Sequence, residues 1–329
     1  MESVYVFSSG TLRRSQNTIV LETDDGKKYV PVENVAEIKI FGEVNLNKRL
    51  LEFLTKKGII VHFFNHEGYY VGTYYPRESN QVGITVLKQA EHYLDQKKRI
   101  EIASKIVEGA SYNISSLLRS YKAKGYDLSG YIDSIADLKA RIENAQTIEE
   151  LMAIEGNIRQ MYYSSLDVLV KDENFRVGKR ERRPPTNYMN TLISFGNSLL
   201  YTTALSEIFK THMDPRIGYL HETNLRRFSL NLDIAEIFKP VVVDRVILRL
   251  VNRSEISPSH FSKIAMGLKL NEKGKRLFAK AFEERLKETI FHARLKRKVS
   301  FRTLIRLEVY KLEKHILGME TYRPYHHDY

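Results

Sequence analysis

The stretch Tyr69-Tyr70-Val71-Gly72-Thr73-Tyr74-Tyr75-Pro76-Arg77-Glu78-Ser79-Asn80-Gln81-Val82-Gly83-Ile84-Thr85 separates two kinds of pattern. Up to Tyr75, aromatic and β-branched residues gather in short runs, the composition of strands. From Val86 onward, apolar residues recur at helical spacing. Pro76 and Gly83 punctuate the polar segment between them, which reads as a linker. The expected fold class is α+β, with a β-rich region over 1–75, a linker over 76–85 and a helical region over 86–329.

Upstream, Asp24-Asp25-Gly26 between two strand-like runs predicts a hairpin. Asn65-His66-Glu67-Gly68 predicts a second turn. Val35-Ala36-Glu37-Ile38-Lys39-Ile40 alternates imperfectly. Leu46 to Lys57 has helical spacing and stops at Gly58.

Downstream, one long helix is expected from Val86 to Lys122 and another from Asp133 to Asn144. Thr147-Ile148-Glu149-Glu150 is a capping box that opens a helix running to about Val170. A helix follows Pro184-Pro185, from Thr186 to about Lys210. Leu225 to Val251 is helical by spacing, with a kink or break at Pro240. Ser257-Pro258 reads as another helix start. Further helices are expected over Lys275 to Leu295 and from Ser300 to about Leu317. The tail from Tyr322 is expected to be mobile.

Lys and Arg outnumber Asp and Glu by 52 to 40, a net charge of +12, which favours a polyanionic partner or a surface tuned for solubility. With no cysteine, disulfides, Cys-ligated zinc, iron–sulfur clusters and thiol nucleophiles are excluded. No long apolar run is present, so a cytoplasmic protein without a membrane span is expected.

Four residues stand out as chemistry. Glu155 falls inside the helix opened by Thr147, with Arg159 four residues on to orient its carboxylate. Asp233 and Glu236 share a helical face, where two acids repel unless a cation or proton lies between them. His221 ends Asp214-Pro215-Arg216-Ile217-Gly218-Tyr219-Leu220-His221. Carboxylates plus an imidazole suit Mg²⁺ or Mn²⁺. The same spacings also fit a surface ion pair, solvated acids and a structural histidine. Two basic stretches offer phosphate contacts: Lys179, Arg180, Arg182 and Arg183 before a helix start, and Arg302 within His292 to Arg306. Tyr162-Tyr163 suits base or sugar contacts, or core packing.

The chain resembles the CRISPR-associated endonuclease/integrase family of spacer acquisition. The resemblance rests on Glu155-Gly156-Asn157-Ile158-Arg159, on Arg182-Arg183-Pro184-Pro185 with Asn190-Thr191-Leu192-Ile193-Ser194-Phe195-Gly196, on the segment ending in His221, and on Asp233-Ile234-Ala235-Glu236-Ile237-Phe238-Lys239-Pro240. It implies a small β-sandwich-like N-terminal domain and a larger all-α catalytic domain. It implies Glu155, His221 and Glu236 as ligands of Mn²⁺ or Mg²⁺, with Asp233 a supporting acid. It further implies strand transfer on double-stranded and branched DNA, a homodimer, and assembly with the small second Cas protein. Glu236 stands where the family usually has Asp, and Lys239 where it usually has Arg. A non-catalytic DNA scaffold and a related repair or RNA nuclease are the competing readings.

Overall fold

The computed structural model describes residues 2–76, 81–181, 184–223 and 228–329. Arg182, Arg183 and the predicted helix start at Leu225 lie outside these residues. The N-terminal region comprises β1 (Glu2–Val6), β2 (Gly10–Ser15), β3 (Thr18–Thr23), β4 (Gly26–Pro31), β5 (Val35–Ile40), β6 (Val44–Leu46), α1 (Lys48–Lys56), β7 (Ile60–Phe64) and β8 (Tyr70–Tyr74). The strands form two four-stranded sheets, ordered β1-β5-β7-β8 and β4-β3-β2-β6. Asp24-Asp25-Gly26 does make the turn of an antiparallel hairpin, with Thr23 paired to Gly26.

β5 explains its own irregular pattern, because every residue of it is buried. Val35, Ile38 and Ile40 join a core with Leu50, Phe53 and Leu54 of α1. Glu37 and Lys39 are buried on the opposite face, against the helical region.

That region begins with α2 (Gly83–Leu94) and α3 (Gln96–Lys122). The single long helix read from the sequence is divided at Asp95, whose side chain caps α3 by accepting from the backbone nitrogens of Lys97 and Lys98. Next come α4 (Ser129–Ala140), α5 (Ile148–Leu169), α6 (Tyr188–Phe209), α7 (Leu230–Phe238) and α8 (Asp244–Asn252). Thr147 caps α5 as the sequence predicts, accepting from Glu150 N at 3.2 Å, while Glu150 accepts from Gln146 N. Pro240 does not end its helix. A π turn over Lys239–Val243 carries the chain from α7 into α8 and absorbs the N–H that proline lacks.

The helical region is not all-α. Ser257-Pro258 opens only one short 3₁₀ turn, followed by a hairpin of β9 (Phe261–Ile264) and β10 (Gly267–Leu270). α9 (Glu272–Lys287) stops well before Leu295, because Thr289-Ile290-Phe291-His292 forms β11 (Thr289–His292) against β12 (Arg297–Ser300). β-Branched and aromatic residues favour that strand over more helix. α10 (Phe301–Ile316) closes the core, capped by Ser300 and followed by Gly318 at a positive φ of 72°. The expected mobile tail instead packs on the helices, with Tyr322 1% exposed. No helix among the described residues is long and apolar enough to cross a membrane.

A buried ionic network joins the two regions. Lys39 Nζ donates to Glu37 Oε1 at 2.9 Å and to Thr203 Oγ1 of α6 at 2.7 Å. Arg302 of α10 donates to Glu37 at 3.0 Å, to Ser3 Oγ at 2.6 Å and to Glu283 of α9 at 3.1 Å. Burial pushes Glu37 up, but Lys39, Arg302 and His62 together hold it well below the usual carboxylate range. Arg302 was expected on DNA. Its side chain is only 9% exposed and its donors are committed to three acids of this network. A phosphate contact there would strip a buried charge cluster of its counter-ion.

Candidate active site

The segment before α7 is sewn to that helix by one carboxylate. Asp233 accepts from the backbone nitrogens of Tyr219 at 2.5 Å, Leu220 at 3.1 Å and His221 at 2.9 Å. It also faces His221 Nδ1 at 2.8 Å. Gly218 makes the approach feasible: a Cβ there would lie 2.7 Å from Ser229 C and 2.9 Å from Asp233 Oδ2. Ser229 Oγ accepts from Gly218 N and donates to Arg216 O, closing the turn.

With Nδ1 engaged by Asp233, Nε2 is the imidazole nitrogen left to a ligand. Burial opposes protonation of His221, but the Asp233 carboxylate outweighs it and raises the pKa. Asp233 is fully buried, and its contacts hold both the main chain and the ring of His221.

Glu155 and Glu236 meet on one guanidinium. Arg159 Nε donates to Glu155 Oε1 at 3.0 Å, one turn away on α5. Its Nη2 donates to Glu236 Oε2 on α7, and its Nη1 is buried without a hydrogen-bond partner among the described residues. The other oxygen of Glu236 accepts from Lys239 Nζ at the start of the π turn. Lys239 also lies 5.1 Å from the ring of Tyr201 on α6. Burial would raise Glu236, but Lys239, Arg159 and His221 hold it well below the usual range. Glu236 is therefore ionised and surrounded by positive charge.

The donor set fits a divalent ion by its chemistry: two ionisable carboxylates and an imidazole with one fixed nitrogen. Both oxygens of Glu236 are engaged by resident cations, Arg159 and Lys239, so an ion there would take the place of one of them. The side chains do not converge as ligands by themselves. Among the described residues, no three His, Asp or Glu groups lie close enough to hold a metal.

The predicted DNA contacts separate on inspection. Lys179 is exposed on the loop before α6, and its carbonyl accepts from Asn190 Nδ2. Arg180 turns inward, donating to Asn190 Oδ1 and Ser194 Oγ at 3.2 Å each. Its guanidinium is 5.7 Å from the ring of Tyr163, which places it beside the Glu155 helix. Tyr162 takes the packing role: it is fully buried, and its hydroxyl donates to Asp244 Oδ2 at 2.8 Å. Burial pushes Asp244 up to about 6.

Several supports have no local sequence signal. Gln89 of α2 donates to the carbonyls of Asp214 and Ile217 and accepts from Asp214 N, bracing the segment that carries His221. Arg99 of α3 donates to Tyr219 O at 2.9 Å. Both partners are more than a hundred residues away in sequence, beyond any local spacing rule.

Residues 4–284 match the family model described as CRISPR associated protein Cas1. A CRISPR-associated endonuclease Cas1 from Thermotoga maritima is 59% identical over 322 residues, covering 98% of this chain and 99% of that protein. The solved structure of a CAS1 protein from Thermotoga maritima superposes with a TM-score of 0.91 at 57% identity, covering 98% of this chain and all of that one (100%). A casposase bound to integration product shares the fold, with a TM-score of 0.87 at 20% identity over 98% of this chain and 93% of that one.

Proposed function

The chain belongs to the CRISPR-associated Cas1 family, and we propose that it is a metal-dependent DNA endonuclease and integrase that inserts foreign DNA into a CRISPR array, in antiviral defence. The observation that carries this reading is the meeting of Glu155 and Glu236 on Arg159, beside a His221 fixed by Asp233. A related endonuclease by name, and a casposase of the same fold with an integration product, support it.

Glu155, Glu236 and Nε2 of His221 would hold Mn²⁺ or Mg²⁺. When bound, the ion supplies Lewis acidity to the phosphoryl oxygens. The protein's own residues do the rest. Asp233 fixes the histidine ring and its tautomer. Arg159 keeps the two carboxylates together. Lys239 and Arg180 add fixed positive charge where phosphate enters. A 3′-hydroxyl of incoming DNA attacks a phosphodiester at a repeat boundary. The new O–P bond forms as the bond to the leaving 3′-oxygen breaks; the attacking hydroxyl loses a proton and the leaving oxygen gains one. Water in place of the hydroxyl gives endonuclease cleavage at the same site.

The net charge of +12 supports a polyanionic substrate, and double-stranded and branched DNA are the substrates of this proposal. A homodimer, and assembly with the small second Cas protein, belong to the same proposal. The reading is tested with duplex DNA ending in a 3′-hydroxyl or a 3′-dideoxy terminus, incubated with a repeat-containing target and Mn²⁺. Joining that needs the hydroxyl supports it. Equal products from both termini, or preferential cutting of single-stranded RNA, would favour a plain nuclease. DNA binding with no chemistry in any metal would favour a scaffold.

A further inference from the structure

Three side chains donate to backbone carbonyls in and beside the π turn that follows Glu236. Asn113 Nδ2 of α3 donates to Ile237 O at 2.9 Å. Tyr329 Oη donates to Pro240 O at 3.2 Å. Arg285 of α9 donates to Val241 O at 3.0 and 2.8 Å. Two of these three depend on the C-terminal segment. Tyr329 belongs to it, and Asn113 is held by it: Asn113 also donates to Tyr325 O at 3.0 Å and accepts from His327 N at 2.7 Å.

The segment is itself firmly seated. Pro324 fills the space over Gly109 of α3, where a Cβ would come within 2.6 Å of its ring. Tyr325 stacks on Phe238, the last residue of α7, with centroids 5.3 Å apart and planes 7° apart. Glu308 of α10 accepts from Tyr322 Oη at 2.7 Å and Tyr325 N at 3.0 Å.

We propose that residues 322–329 are a positioning element for the catalytic acid: they hold the π turn, and through it the placement of Glu236 and Lys239. None of these residues reaches the carboxylates themselves, so their role is geometry rather than chemistry. Pro240 bars this turn from regular α-helix, so these outside contacts hold its irregular geometry; without them the segment carrying Glu236 and Lys239 is free to shift against Arg159 of α5.

Two chains test this: one ending at Arg323, and Tyr329→Phe, which removes only the hydroxyl on Pro240 O. Amide hydrogen exchange is followed in a peptide spanning 233–245, and strand transfer and DNA affinity are measured alongside. The truncated chain is expected to exchange faster in that peptide and to lose strand transfer by roughly tenfold or more, with DNA affinity unchanged. Tyr329→Phe should give the same changes in smaller measure. Unchanged exchange across 233–245 overturns the proposal, as does full strand transfer by the truncated chain. The activity arm rests on the integrase reading, whereas the exchange arm does not. A wild type without His221-dependent transfer would sink that reading and leave exchange to decide the positioning role.

Discussion

Asp233 Oδ1 lies 2.8 Å from His221 Nδ1 and 2.9 Å from the same residue's backbone nitrogen. One carboxylate thus fixes both the ring and the main chain of His221. Asp233→Asn keeps the shape but replaces one acceptor oxygen with an amide donor, opposite backbone N–H groups. Mn²⁺ affinity and strand transfer should each fall by roughly 10- to 100-fold, with the fold retained. Calorimetric titration with Mn²⁺ checks this. An unchanged affinity would remove Asp233 from the positioning role.

Arg159 joins α5 to α7 through two carboxylates, and a lysine has no planar fork to do the same. Arg159→Lys should fold but lose most strand transfer. Arg159→Ala leaves buried Glu236 with one cation fewer and should destabilise the protein by about 3–5 kcal/mol. Urea unfolding of both variants, beside their transfer rates, distinguishes the two effects. A stable, active Arg159→Ala protein would contradict the assignment.

Arg302 and Lys179 both read as phosphate contacts in the sequence, and their settings now predict opposite outcomes. Arg302→Ala should lower stability by about 3–5 kcal/mol, because Glu37 and Glu283 lose a buried partner. Lys179→Ala should leave stability unchanged, weaken DNA binding and reduce the slope of log K against log salt by about 1. Binding curves at several salt concentrations test both.

His62 gives the region boundary a pH dependence. Its Nε2 lies 2.8 Å from Ser206 Oγ and 3.3 Å from Glu37, and its Nδ1 is 2.9 Å from Thr73 Oγ1. Burial holds its pKa below 6.5, against the pull of Glu37 and with help from Lys39 and Arg302. Just below 6.5 the folded state therefore binds fewer protons than the unfolded chain. The stability contributed is present above 6.5 and is lost as pH falls through that value toward the folded pKa. Thermal melts of wild type from about pH 7 to about pH 5 should fall more steeply than those of His62→Gln. Parallel curves would contradict this.

What was legible followed from local chemistry. Thr147 capped its helix where the capping box predicted, Asp24-Asp25-Gly26 turned its hairpin, and Glu155 with Arg159 paired at i, i+4. Long-range pairing hid the rest. β5 alternates imperfectly because its second face carries Glu37 and Lys39 into a buried network that only the assembled helices complete. Pro240 read as a kink or break because the side chains that brace the π turn, Asn113, Arg285 and Tyr329, are distant in sequence. Arg302 read as a surface charge because its acidic partners lie on other elements. The tail read as mobile because nothing local reveals Gly109 and Phe238 waiting to receive Pro324 and Tyr325.

Metal-dependent strand transfer by Glu155, His221 and Glu236 is tested on a branched DNA that mimics a half-integrated product, with Mn²⁺, Mg²⁺ or EDTA, comparing wild type with His221→Ala. Metal-dependent rejoining of the flanking strand, absent with EDTA and absent in the variant, is the predicted result. Rejoining that persists in His221→Ala or in EDTA would contradict it.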